Sequence, residues 1–144
     1  MRKALILLLC VACCGIASAQ IVMNEVKQHE KVCSTSNGFD NLMKYDKGGV
    51  AHYYLSLSSE NRFDNLYRIH LGTKENALTT LSQLLSNFAH EKSLSCVDDE
   101  GENFTALGWN FMGDKYWSIR KKGYAGDAVL RLTVIRKFTK ALQE

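Results

Sequence analysis

Proline is absent from all 144 residues. Every break between elements therefore falls to Gly, Asn, Asp or Ser, the other residues that turns favour. Long apolar runs are scarce as well. One spans Ala4 to Ile16 and no second follows, so the pattern predicts no transmembrane helix in the rest of the chain. Charge of one sign is also lacking: 18 basic residues oppose 15 acidic ones. Arg2 and Lys3 precede the apolar run, and without them 16 basic residues face 15 acidic, a net of +1. That balance offers no electrostatic case for a nucleic-acid partner. Cysteine is sparse once Cys10, Cys13 and Cys14 are assigned to the apolar run, leaving Cys33 and Cys96. Their spacing is long and they form no C-x-x-C, which argues against a zinc or redox pair.

Catalytic motifs are missing too. There is no G-x-S-x-G elbow, and the four histidines at 29, 52, 70 and 90 show neither H-x-H nor H-x-x-x-H spacing. In the acidic turn from Asp98 to Glu102, Gly101 comes fourth where an EF-hand loop needs glycine sixth. The motifs thus assign no catalytic residue, no metal and no cofactor.

What is present begins with an address. Arg2 and Lys3, the apolar run and Ala17-Ser18-Ala19 have the order of a secretory signal peptide over residues 1–19, cleaved after Ala19. Export to the periplasm, the cell surface or the medium is the expectation. Cys13 follows an acceptable Ala12 for lipoprotein cleavage, but Cys10 stands where such signals carry Leu, so no lipid anchor is expected. In an exported chain Cys33 and Cys96 are a candidate disulfide. Closing that loop of roughly 60 residues would contribute about 4 kcal/mol in the chain-entropy account.

Residues 20–38 read as a partly mobile N-terminal arm, and residues 39–144 as one α+β domain. Its organising element is an amphipathic helix over 73–90. Thr73 is placed to cap it, and Ala77, Leu78, Leu81, Leu84, Leu85 and Phe88 form one stripe. Strand-like runs at 41–45, 50–58 and 66–71 precede the helix; runs at 93–97, 104–111, 115–121 and 128–135 follow. Asp46-Lys47-Gly48-Gly49 and Met112-Gly113-Asp114 supply hairpin turns. The pattern predicts an antiparallel sheet of about six or seven strands, in β-β-β-α-β-β-β order, against one long helix, with a short C-terminal helix after 136. The expected core is Tyr53, Leu55, Leu57, Ile69, Leu71, Leu78, Leu81, Leu85, Phe88, Leu107, Trp109, Trp117, Leu130, Leu132 and Val134.

Two residue groups bear on function. Strand alternation puts His52 and His70 on the polar sheet face, where they could share a metal or acid/base site if a third group such as Cys33, Asp64 or Glu60 joined them. Trp109, Tyr116 and Trp117 share a hairpin with Arg120, Lys121 and Lys122, a combination suited to a protein or glycan surface. The function expected is an exported, small, non-enzymatic binding or protein-interaction domain, its partner a protein or glycan at the cell envelope or outside the cell. The alternatives are a structural or assembly protein of the cell surface, and a small envelope enzyme with a dispersed His/carboxylate site.

Overall fold

The structure, a computed structural model, describes residues 28–144; the expected signal peptide and the first part of the expected arm lie outside them. Eight strands and two helices follow one another as β1 (His29–Ser34), β2 (Asn41–Lys47), β3 (Val50–Leu57), β4 (Tyr67–Thr73), α1 (Lys74–Ser86), β5 (Ser93–Val97), β6 (Asn103–Phe111), β7 (Asp114–Lys121), β8 (Ala128–Arg131) and α2 (Leu132–Gln143). The chain is α+β, with two antiparallel four-stranded sheets ordered β1-β2-β3-β4 and β5-β6-β7-β8. Corresponding strands begin at 29 and 93, 41 and 103, 50 and 114, 67 and 128, and the helices at 74 and 132. A four-strand meander that runs straight into a helix therefore occurs twice, although the sequence shows no fixed-period repeat.

This corrects the single sheet of six or seven strands. Turn chemistry pairs each strand with its neighbour on its own side of α1, and nothing local decides whether β4 pairs with β5 across the helix. It does not. The β5–β6 turn takes the edge of β4 instead: Asp99 N–H donates to His70 O, and Asp98 Oδ2 accepts from His70 N–H. The sheets meet there without merging. β1 went unread because His29, Glu30 and Lys31 give it no apolar face.

The organising helix is shorter than its stripe, 13 residues from Lys74 to Ser86. Thr73 Oγ1 accepts from Asn76 N–H at 3.4 Å, and Asn87 N–H closes the last turn on Gln83 O. Phe88 lies beyond the C-cap Asn87, and the chain then turns through Glu91, whose φ is 62°. Ala77, Leu81 and Leu84 are the buried part of the stripe. In α2, Leu132, Ile135, Phe138 and Leu142 are buried at helical spacing, so the helix begins where the strand pattern had run on to residue 135. The helices pack on each other, α1 also against β3 and β4, α2 also against β1, β7 and β8. Buried residues of both sheets and both helices form one continuous cluster.

β6 has the opposite phase to the one alternation suggests. Phe104, Ala106 and Gly108 face inward, while Leu107 and Trp109 are half-buried. Gly108 explains the phase: a Cβ there would collide with the carbonyl oxygen of Ala89. Only glycine lets β6 approach the α1–β5 connection so closely. Opposite it, Trp117 is fully buried and its indole N–H donates to Leu84 O at 2.9 Å.

The disulfide expectation is also corrected. Cys33 and Cys96 are free thiols. They belong to β1 and β5, outer strands of different sheets, so the export argument had no geometry behind it.

Candidate functional site

Alternation sorts the first sheet into two faces. Leu42, Leu55, Leu57, Ile69 and Leu71 go to the core. Tyr45, His52, Tyr54 and His70 go to the opposite face, where the register sets Tyr45 across from both His29 and His52, and Tyr54 across from His70. A bulge between Tyr53 and Tyr54 brings the last pair into line. The rings form a cluster: His29 stacks on Tyr45 at 5.4 Å, Tyr45 lies 5.9 Å from His52 and 6.3 Å from His70, and Tyr54 lies 5.5 Å from His70. His29 Nδ1 is 2.8 Å from the Tyr54 hydroxyl, and the Arg68 guanidinium covers the Tyr54 ring. Tyr45 and Tyr54 are buried although they face away from the helices. Burial pushes the Tyr45 hydroxyl above its ordinary pKa, and the carboxylates of Glu100 and Asp99 add to the effect.

The acidic turn docks beside this cluster. Buried Asp98 accepts the backbone N–H groups of His70, Glu100 and Glu102, which makes it the clamp of the turn rather than a free acid. Tyr45 OH donates to Glu100 at 3.4 Å. Asp99 Oδ2 lies 3.8 Å from His52 Nδ1, a distance at which a protonated imidazole forms an ion pair. Nδ1 of His52 and Nδ1 of His70 are both buried without a hydrogen-bond partner.

So β3 and β4 do bring His52 and His70 around one tyrosine, but the group that joins them is Asp99. Cys33 lies on β1. Asp64 is occupied by Ser59, Ala125 and Gly126, and the backbone N–H of Glu60 donates to Asp127 O. Among the described residues no three His, Cys, Asp or Glu side chains converge as metal ligands. Burial also raises the Cys96 thiol above its ordinary pKa, which disfavours the thiolate a nucleophile needs.

A groove of about 690 Å³ starts at the His70–Asp99 contact and runs between α1 and β5. Leu84, Leu94, Cys96 and Phe104 are its apolar floor; Asn76, Thr79, Thr80, Gln83 and Asn87 of α1 form its polar rim. Asp98 and Asp99 are its acidic groups, and no lysine or arginine lines it. Such a slot offers amide and hydroxyl hydrogen bonds above an apolar bed, the composition of a site for a neutral polar ligand. Sequence reasoning missed it because the polar face of α1 looked like a solvent face. The signal was there: from Asn76 to Phe88 the helix carries no charge, whereas a face turned to water ordinarily carries charged residues.

The aromatic–basic hairpin is divided between the faces of the second sheet. Trp109 and Tyr116 pair across β6 and β7 and are half-buried; Arg120, exposed, pairs with Asp127 at 2.6 Å. Trp117 belongs to the core, and Lys121 is buried, its Nζ donating to Arg68 O and Glu102. Lys122 is exposed in the β7–β8 turn. Trp109, Tyr116, Arg120 and Lys122 are what remains accessible of the six. No helix of the described residues is long and apolar enough to cross a membrane. Comparison with protein families, with curated proteins and with solved structures finds no match for the chain.

Proposed function

We propose that the chain is an exported, non-enzymatic binding domain and that its ligand occupies the groove between α1 and β5. The observation that carries this reading is the uncharged rim of Asn76, Thr79, Thr80 and Gln83 over an apolar floor. Export rests on the signal-like order of residues 1–19 and is checked by the mass of the protein recovered outside the cytoplasm, which should begin at Gln20.

Binding is tested by amide chemical-shift mapping of the purified protein against two probe sets, neutral oligosaccharides and pooled random peptides. Saturable shifts at Thr79, Gln83, Leu94 and Asp99 are expected from one of them. Shifts confined to Trp109, Tyr116 and Lys122 would move the site to the second hairpin and end this assignment. Turnover of a probe would overturn the non-enzymatic part and favour the His52–Asp99 pair as an acid/base site.

An assembly role is the second reading, because the outer edge of β5 is uncovered. It requires the protein to associate with itself as concentration rises.

A further inference from the structure

A four-stranded sheet leaves two edges, each a row of unpaired backbone N–H and C=O groups that invites another strand. This protein has four such edges, and three are guarded. On β1, Lys137 Nζ donates to Ser34 O, and His29, Glu30 and Lys31 make the strand polar and charged. On β4, Lys121 Nζ holds Arg68 O while Asp98 and Asp99 take both backbone groups of His70. On β8, Ser59 forms a bridge to Ala128.

β5 is different. Asp98 N–H donates to Glu102 O, which sets the phase of the ladder. Counting back, Leu94 and Cys96 spend their backbone groups on β6, and Ser93, Ser95 and Val97 point theirs outward. Among the described residues nothing caps those three. The same strand turns Leu94 and Cys96 into the groove.

We infer that the edge of β5 receives an extended polypeptide segment of another protein, added as a further strand. This rests on the groove being the binding site and names its ligand class. Ladder bonds to Ser93, Ser95 and Val97 supply affinity without regard to sequence. Side chains in phase with Leu94 and Cys96 enter the groove, where neutral and apolar groups fit and the amides of Asn76, Gln83 and Asn87 can bond in either direction. The groove's charged lining is acidic and lies at the Asp99 end, so the segment carries Lys or Arg there. Five residues of β5 at ~3.3 Å each set the length of the added strand, about 17 Å.

The test selects random peptides displayed on phage against the purified protein, then titrates the enriched peptides. They should share a basic residue at one end of an apolar or neutral stretch. On binding, the amides of Ser93, Ser95 and Val97 should gain protection from hydrogen exchange while those of Leu94 and Cys96 stay as they were. Ser95→Pro removes one outward donor and no ladder bond, and should weaken binding by at least about tenfold; Ser95→Ala should not. Should the proline variant fail to fold, Thr80→Arg fills the groove from the helix side and should weaken binding likewise.

Oligosaccharide binding in the groove with no peptide enriched would overturn this inference and leave the binding-domain reading standing. Failure of both probe sets would remove both. A dimer that Ser95→Pro dissociates would assign the edge to a second copy and also overturn the inference.

Discussion

Asp64 ties together two loops that are distant in sequence. Its carboxylate accepts Ser59 Oγ–H at 2.7 Å, Ala125 N–H at 3.0 Å and Gly126 N–H at 2.8 Å, joining the β3–β4 loop to the β7–β8 loop. The backbone N–H of Ala125, then Ser59 and Gly126, hold its pKa below the ordinary 3.8. A carboxyl depressed on folding contributes stability above the unfolded value and loses it as pH falls through the folded one. Asp64→Asn should therefore lower the urea midpoint at neutral pH, and the gap to the parent protein should narrow once pH drops below 3.8. A gap that stays constant down that range would dissociate these bonds from stability. In the sequence Asp64 stood out only as a spare carboxylate for His52 and His70, because two of its three partners, Ala125 and Gly126, lie some sixty positions on. Lys121 is the converse case. Alternation put it in phase with Trp117 and Ile119, pointing inward, and its charge argued for the surface. The inward phase prevailed because Arg68 O and Glu102 wait there for an ammonium group.

At the scale of elements, local chemistry was readable and its phase was less so. β2, β3, β5, β6 and β7 fall within two residues of where apolar alternation and turn residues place them. α1 and β8 end earlier than their patterns, since a stripe of apolar residues continues past the point where the backbone turns. Leu107 and Trp109 were expected in the core; the glycine between them decided the phase by steric exclusion. Of the groove, the element positions were legible and the vacancy between α1 and β5 was not, because it depends on two elements that are not neighbours in any hairpin. The β6–β7 turn makes a sharper case. Met112 has φ 51° and Gly113 φ 87°, so both central residues are left-handed, as in a type I′ turn. Asn tolerates that conformation far better than Met, and Met112 is 92% exposed, so its side chain supports nothing. Met112→Asn should raise stability by on the order of 0.5–1 kcal/mol, read as a higher urea midpoint at unchanged slope. A lower midpoint would mean that the methionine has a contact in solution that this turn does not provide.

For the whole molecule, the question is whether two repeats of one plan behave as two units. Their connections say they do not. Trp117 of the second sheet bonds the carbonyl of Leu84 in α1, Tyr67 OH donates to Gly126 O, and the rings of Tyr67 and Tyr124 lie 4.0 Å apart. Lys121 reaches from β7 to β4, and Lys137 from α2 to β1. Each helix packs on its own sheet and on the other helix, α2 also reaches β1, and the buried residues of both halves join in one cluster. Leu81→Ala, in the first half and fully buried, should cost roughly 2–5 kcal/mol. Because the core is continuous, tryptophan fluorescence, which reports only Trp109 and Trp117 of the second half, should shift its midpoint by the same amount as far-UV circular dichroism. Dithiothreitol should leave both midpoints where they are, since no bridge joins Cys33 to Cys96. If the tryptophan signal kept its parental midpoint while the dichroism moved, the repeats would be separate folding units. The bonds of Trp117, Tyr67 and Lys121 would then be contacts between domains rather than parts of one core.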